Sequence, residues 1–239
     1  MTPKTDASIK GVLRGEMESL LSQPAPSRSS VTEATIMRSD AAIAGMMHRA
    51  RLPRRHRETP CIDRNGAWAS AARDLCASMG SGCLIALLGP RGTGKTQLAV
   101  EACWTTCQRA VNEFANRTTS EQTVKDAPAL YCKALEMFLT IRAGYKQDGP
   151  TEKELIKLFV KPDLLVIDEI QERGETEWED RVLVHIIDRR YDDMRDTMLI
   201  GNLTEQRLAD SAGPSVMSRM RECGRIVVCD WKGFRGGAT

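Results

Sequence analysis

No stretch of this 239-residue sequence stays apolar over the roughly 18–20 residues that a membrane-crossing helix needs. An excess of one charge is missing too. The 34 basic and 32 acidic side chains leave a formal net charge of +2, so no global field commits the chain to nucleic acid and only local clusters count. No secretory leader is evident. The eight cysteines are scattered, with Cys83, Cys132 and Cys229 inside apolar runs, which argues for reduced thiols and against a disulfide framework. Cys103 and Cys107 share a helix face but have no second pair or histidine in register, so they are expected as buried small hydrophobes, not half a zinc site. A lone histidine in mid-helix, His185, is expected on a helix face, neither ligand nor base. These absences point to a soluble, cytoplasmic protein. The hydrophobic content of 41% supports a real core, enough for one sizeable α/β domain and a smaller appendage.

The strongest positive signal is Gly89-Pro90-Arg91-Gly92-Thr93-Gly94-Lys95-Thr96. An apolar run from Cys83 to Leu88 enters it, and a helical pattern leaves it from Gln97. In a G-x-x-x-x-G-K-T loop the glycines let backbone N–H groups turn toward a phosphate. Lys95 reaches the β- and γ-phosphates, and the Thr96 hydroxyl holds Mg²⁺. The expected nucleotide contacts are Gly89, Gly92, Thr93, Gly94, Lys95, Thr96 and Gln97, with ATP and Mg²⁺ as cofactors.

Strand and helix patterns then alternate. A helix is expected from Ala67 to Met79, a strand before the phosphate loop, and a helix after it to about Phe114. A strand at Ala129 to Cys132 and helices at Lys133 to Ala143 and Thr151 to Val160 follow, the last opening on a Thr-Glu-Lys-Glu capping signal. Asp163-Leu164-Leu165-Val166-Ile167-Asp168-Glu169 reads as a buried parallel strand that delivers two acids to its C-terminal edge. A helix at Glu177 to Asp193, a strand at Thr197 to Ile200, a final helix at about Glu205 to Ala209 that leads through Ser211 to Pro214 into a loop-to-helix segment at Val216 to Arg221, and a strand at Arg225 to Cys229 complete the pattern. Gly233 to Thr239 reads as a frayed tail. The fold class is α/β, a parallel sheet flanked by helices. Ahead of it, residues 1–52 carry two amphipathic patterns, Ile9 to Leu21 and about Thr32 to Arg51, the second with Ile36, Met37, Ile43, Met46 and Met47 on its apolar face. They read as a small helical domain suited to docking a partner, with 53–239 as the main domain. The basic join, Arg49 to Arg57, is either a solvated linker or a contact for phosphate or an acidic partner.

In this frame Asp168 binds Mg²⁺ and Glu169 polarises the water that attacks the γ-phosphate. Asn202, at another strand end, either contacts that phosphate or water or is a turn residue. Arg219 is either an arginine finger for a neighbouring subunit or a surface ion pair, with Arg221 as its rival.

Together with the phosphate loop, the segments Asp163 to Ile170, Ile186-Ile187-Asp188-Arg189-Arg190, Gly201-Asn202-Leu203 and Val216 to Arg221 resemble the AAA+ ATPase domain of DnaC-type replicative helicase loaders. The basic lead-in and Trp231-Lys232-Gly233-Phe234-Arg235 are similar as well, and IstB-type transposition helpers share most of these features. The resemblance implies an AAA+ ATPase with Lys95 and Thr96 as Walker A residues and Asp168 and Glu169 as Walker B residues. It makes Asn202 the first sensor and Arg219 the arginine finger, completing a neighbour's site by self-association. It implies that residues 1–52 grip a hexameric replicative helicase and that the core binds single-stranded DNA. Gln171 stands where many relatives carry glycine. A full C-terminal lid is expected to be absent, with Arg235 a weak second sensor. Single-strand binding needs cations beside aromatic surfaces; Tyr145 flanked by Arg142 and Lys146, and Trp178, are the candidates. The functional expectation is an ATP-dependent helicase loader. The alternatives are a transposition helper and a binding module that uses ATP as a switch.

Overall fold

The computed structural model describes residues 40–58, 65–115, 127–145 and 149–234. The expected helix at Ile9 to Leu21, Lys146, Arg235 and the side chain of Tyr145 lie outside the described residues. The elements are α1 (residues 40–49), α2 (Arg54–Arg57), α3 (Ala67–Ser78), β1 (Leu84–Leu88), α4 (Lys95–Ala115), β2 (Ala129–Lys133), α5 (Ala134–Arg142), α6 (Glu152–Val160), β3 (Leu164–Asp168), α7 (Glu177–Asp192), β4 (Asp196–Gly201), α8 (Glu205–Cys223) and β5 (Arg225–Val228). Short 3₁₀ turns lie at Ala143–Tyr145 and Ile170–Glu172.

The strands form one parallel sheet in the order β2-β3-β4-β1-β5. Register aligns the strand ends that matter. Leu88 lies opposite Gly201 and Val228, and Lys133 lies opposite Asp168. β1 is flanked by β4 and β5, so the chain crosses over beside it, and the loops after β1, β3 and β4 open onto the crevice where such sheets bind ligands.

Alternation along the strands divides the core in two. Ile85, Leu87, Tyr131, Val166, Met198 and Ile200 face one layer with α1, α3 and α4. Ala86, Leu88, Cys132, Leu165, Ile167 and Leu199 face the other, with α5, α6, α7 and α8. Strands buried on both faces explain why their sequences read as continuous apolar runs. Thr151 caps α6 with a complete capping box, as its sequence signal predicts. The segment labelled α8 is two helical stretches, as the sequence suggests, meeting at a kink where Gly213 takes a φ of 81° just before Pro214.

Two charged residues lock the sheet from inside. The fully buried Arg190 of α7 donates through Nε to Thr197 Oγ1 at 2.9 Å. Its Nη1 donates to the carbonyls of Phe159, Val160 and Pro162 at 2.9, 3.0 and 2.9 Å, and its Nη2 to those of Asp163 and Asp196. The buried Asp196 carboxylate accepts the backbone N–H groups of Gly80, Gly82 and Cys83, fixing the turn that feeds β1.

The apolar face of α1 is covered by the chain itself. Ile43, Met46, Met47, Ala50 and Leu52 are buried in the first core layer, and Tyr131 N–H donates to the Ala50 carbonyl at 2.8 Å. Contacts divide the chain into Met1–Ala41 and Ala42–Thr239. Residues 42–52, placed by the sequence reading in the leading helical segment, thus share a contact unit with the sheet, and Met46 and Met47 are core. A helical period reports an apolar stripe without saying what covers it.

The cysteines among the described residues are free thiols, with Cys103 and Cys107 buried as expected. Among the described residues no helix is long and apolar enough to cross a membrane.

Candidate functional site

At the C-terminal edge of the sheet lies a cavity of about 540 Å³, lined by Gly92, Gly94, Lys95, Thr96, Gln97, Asp168, Glu169 and Asn202 together with Arg55, His56, Arg91, Ile200 and Phe234. The loop from Gly89 to Gly94 joins β1 to the N-terminus of α4, whose free amides face anions favourably. Gly89 and Gly94 have φ of 135° and 81°, and a Cβ would stand 2.5 Å from the Cys229 carbonyl at the first and 2.8 Å from Trp68 Nε1 at the second. Only glycine fits either position.

Five of the loop's carbonyls accept hydrogen bonds from protein donors. Lys95 Nζ donates to Gly89 O and Pro90 O, both at 2.7 Å. Phe234 N–H reaches Gly92 O at 2.9 Å, Trp231 Nε1 reaches Thr93 O at 2.8 Å, and Trp68 Nε1 reaches Gly94 O at 3.3 Å. Trp68 and Phe234 also meet edge to face, with ring centroids 6.3 Å apart. With its acceptors bound from behind, the loop offers an incoming anion its N–H groups. Burial lowers the pKa of Lys95 from its ordinary value, against the opposing influence of Cys229 and Asp168. Of the expected frayed tail, Phe234 is held to the phosphate loop by its backbone N–H and to Trp68 by its ring, just after Trp231 binds the same loop.

β3 ends at Asp168, which is buried. Its Oδ2 accepts the Thr96 hydroxyl at 3.1 Å and the Tyr131 hydroxyl at 2.7 Å, and its Oδ1 accepts the Glu169 N–H at 2.7 Å. Burial first, and then the Asp168 charge, push the Tyr131 phenol well above its ordinary pKa, so it remains a donor. Glu169 takes a left-handed backbone conformation, φ 56°, uncommon outside glycine and frequent where side chains are aimed at a task. Its carboxylate pairs with Lys133 Nζ at 2.9 Å, and that bond raises the lysine's pKa. Asn202 directly follows β4, and its N–H donates to Gln171 Oε1 at 3.0 Å. Gln171 therefore ties the loop after β3 to the end of β4. Thr96 and Asp168 form the expected pair of hard oxygen donors, which suits a small divalent cation completed by phosphate oxygens and water. Among the described residues no larger cluster of His, Cys, Asp or Glu is arranged to hold a metal.

Arg219 is absent from the cavity lining. Its guanidinium pairs with Asp188 Oδ1 at 3.1 Å, donates to Ser215, and lies 5.3 Å from the Tyr191 ring centroid. Its rival Arg221 is exposed on the same helix. Trp178 is half-buried against Phe138, centroids 6.0 Å apart, with Arg142 4.8 Å above its ring. His185 is exposed on α7, as expected.

Several site residues escape sequence reasoning. Tyr131 and Lys133 reach the acids only through the β2–β3 register. Trp68, Trp231 and Phe234 arrive from elements far apart in the chain. Arg55 and His56 belong to the basic join, whose charge was legible but whose place in the cavity wall was not.

The family model described as "IstB-like ATP binding protein" matches residues 30–218. The replicative helicase loader DnaC of Escherichia coli K12 is 28% identical over 152 residues, covering 63% of this chain and 56% of the loader. The uncharacterized protein YdaV of Escherichia coli K12 is 30% identical over 169 residues, covering 70% of this chain and 61% of that protein. The alignments thus span little more than half of these relatives. Among solved structures, the crystal structure of the DnaC helicase loader matches with a TM-score of 0.54 at 16% identity, covering 74% of this chain and 99% of that one. The replication initiator DnaA bound to AMPPCP and single-stranded DNA gives 0.55 at 20% identity, covering 76% and 52%. The sheet and its helices are therefore the AAA+ fold expected from the motifs.

Proposed function

Because the chain belongs to the IstB-like ATP-binding protein family, we propose that it is a Mg²⁺-dependent ATPase that loads a replicative DNA helicase onto single-stranded DNA. The observation that carries the ATPase reading is the convergence of Lys95, Thr96, Asp168, Glu169 and Asn202, from three separate loops, on one cavity. In this reading the loop amides and Lys95 hold the β- and γ-phosphates in place. Thr96 and Asp168 hold the Mg²⁺, which neutralises charge on the phosphate oxygens. Glu169 orients the attacking water and accepts its proton, and Asn202 steadies the γ-phosphate or that water. Arg219 reaches a neighbouring subunit's nucleotide once it leaves Asp188 and Ser215.

The loader role rests on similarity to the DnaC loader. It assigns helicase gripping to the segment ahead of the ATPase core and single-strand contact to Arg142, Trp178, Tyr145 and Lys146. The IstB-like description of the family keeps a transposition helper as the second reading. Capture of a replicative helicase that depends on residues 1–41, with ATPase activity rising when single-stranded DNA is added, is the result expected of a loader. Capture of a transposase with tight duplex binding favours the second reading. Glu169→Gln should keep nucleotide binding and lower turnover about 10²- to 10⁴-fold. Turnover at background in the unmodified protein, with DNA and helicase present, would remove the ATPase reading.

A further inference from the structure

The Walker-type acid Asp168 has a partner that comes from neither the phosphate loop nor its own strand. Tyr131 lies on β2, opposite Val166 and two register positions before Asp168. Its ring is buried in the first core layer, and its hydroxyl donates to Asp168 Oδ2 at 2.7 Å. Its backbone N–H is fixed as well, on the Ala50 carbonyl at 2.8 Å. The residue is therefore fixed at its backbone and at its hydroxyl.

The consequence follows from counting donors on the carboxylate. Oδ1 accepts the Glu169 amide and Oδ2 accepts Thr96 and Tyr131. A hydroxyl keeps two lone pairs beside its proton, so Thr96 can meet a cation and still donate to Asp168, whereas Tyr131 is the side-chain donor on Oδ2 that stands outside the ligand set. The backbone amide alone leaves the carboxylate free to rotate about χ2. With the phenol in place the plane of the carboxylate is set on both oxygens.

We propose that Tyr131 is a positioning residue for the cation site, orienting Asp168 from outside the ligand set. The proposal rests on the Mg²⁺-ATP reading above. Groups that orient a ligating side chain in this way typically contribute 10- to 100-fold in metal affinity or activity. The competing account is structural: a buried tyrosine needs an acceptor, and Asp168 is merely near. The two accounts differ in what depends on metal.

Tyr131→Phe removes the hydroxyl and keeps the ring, so the core should remain filled. The test uses the full chain with a fluorescent ATP analogue, titrated first in EDTA and then with Mg²⁺ at fixed nucleotide, and repeated with Mn²⁺ read by electron paramagnetic resonance. The expected result is nucleotide affinity in EDTA within about twofold of the unmodified protein and a cation midpoint raised about tenfold. In an Asp168→Asn background the same substitution should add no further shift, since the acceptor it orients is altered. An unchanged cation midpoint overturns the proposal, as does an equal loss of nucleotide affinity with and without metal. If the unmodified protein binds nucleotide without any cation dependence, the cation-site reading fails and Tyr131's role with it. If binding depends on the cation and Tyr131→Phe behaves as the unmodified protein, the role of Tyr131 alone is rejected.

Discussion

Glu169 sits in an uncommon backbone conformation and is held by a lysine from the adjacent strand. A carboxylate engaged by an ammonium has one lone pair occupied and is a poorer proton acceptor, so the pair restrains the residue proposed to activate water. Both side chains are more than a third exposed, which limits the bond to the range of surface ion pairs, about 0.2–1 kcal/mol. Lys133→Ala should therefore raise basal ATP turnover by up to about fivefold with little change in nucleotide affinity, measured as phosphate release at saturating ATP. Unchanged or lower turnover would mean that the pair does not restrain Glu169. The acids themselves were legible in the sequence, because an apolar strand ending in Asp-Glu is a local pattern. Lys133 and Tyr131 were not, since their roles depend on which residue of β3 each one faces, and strand register is a long-range property.

Helix α7 illustrates the same division one level up. Its span and its place after the acids follow from periodicity, yet Arg190 in its last turn looks in sequence like a solvent-facing charge. In the fold it is fully buried and feeds five backbone carbonyls from the end of α6, the α6–β3 connection and the start of β4. Replacing it leaves those acceptors unpaired in the interior. Arg190→Met should destabilise the protein by about 3–5 kcal/mol, read from urea unfolding. A loss below about 1 kcal/mol would show that water satisfies the carbonyls. α8 is likewise legible on either side of its kink, where Gly213 takes a positive φ before Pro214.

For the molecule as a whole, the difference between sequence and structure concerns where the unit that carries the phosphate loop begins. Ile43, Met46, Met47 and Leu52 are buried against the sheet layer, and each contributes about 1.5–3 kcal/mol. A chain starting at residue 42 should melt close to the full-length protein, whereas one starting at residue 53 should melt far lower or fail to fold, as differential scanning fluorimetry would detect. Equal melting of the two would put the boundary back at residue 52. The amphipathic pattern was visible, but an apolar stripe fits a partner's groove as well as its own core, and only the sheet beside it decides.

The bracing of the phosphate loop also supplies an optical reporter. Trp68 and Trp231 each place an indole N–H on a loop carbonyl, while Trp104 is exposed on α4 and Trp178 packs beneath Arg142. Phosphate groups drawn into the loop change the environment of the first two indoles directly. Intrinsic emission should therefore shift on adding ATP without any label, persist in a Trp104→Phe, Trp178→Phe chain, and vanish when Trp68 and Trp231 are replaced by phenylalanine. A signal that follows Trp104 or Trp178 instead would place the ligand-sensitive motion elsewhere.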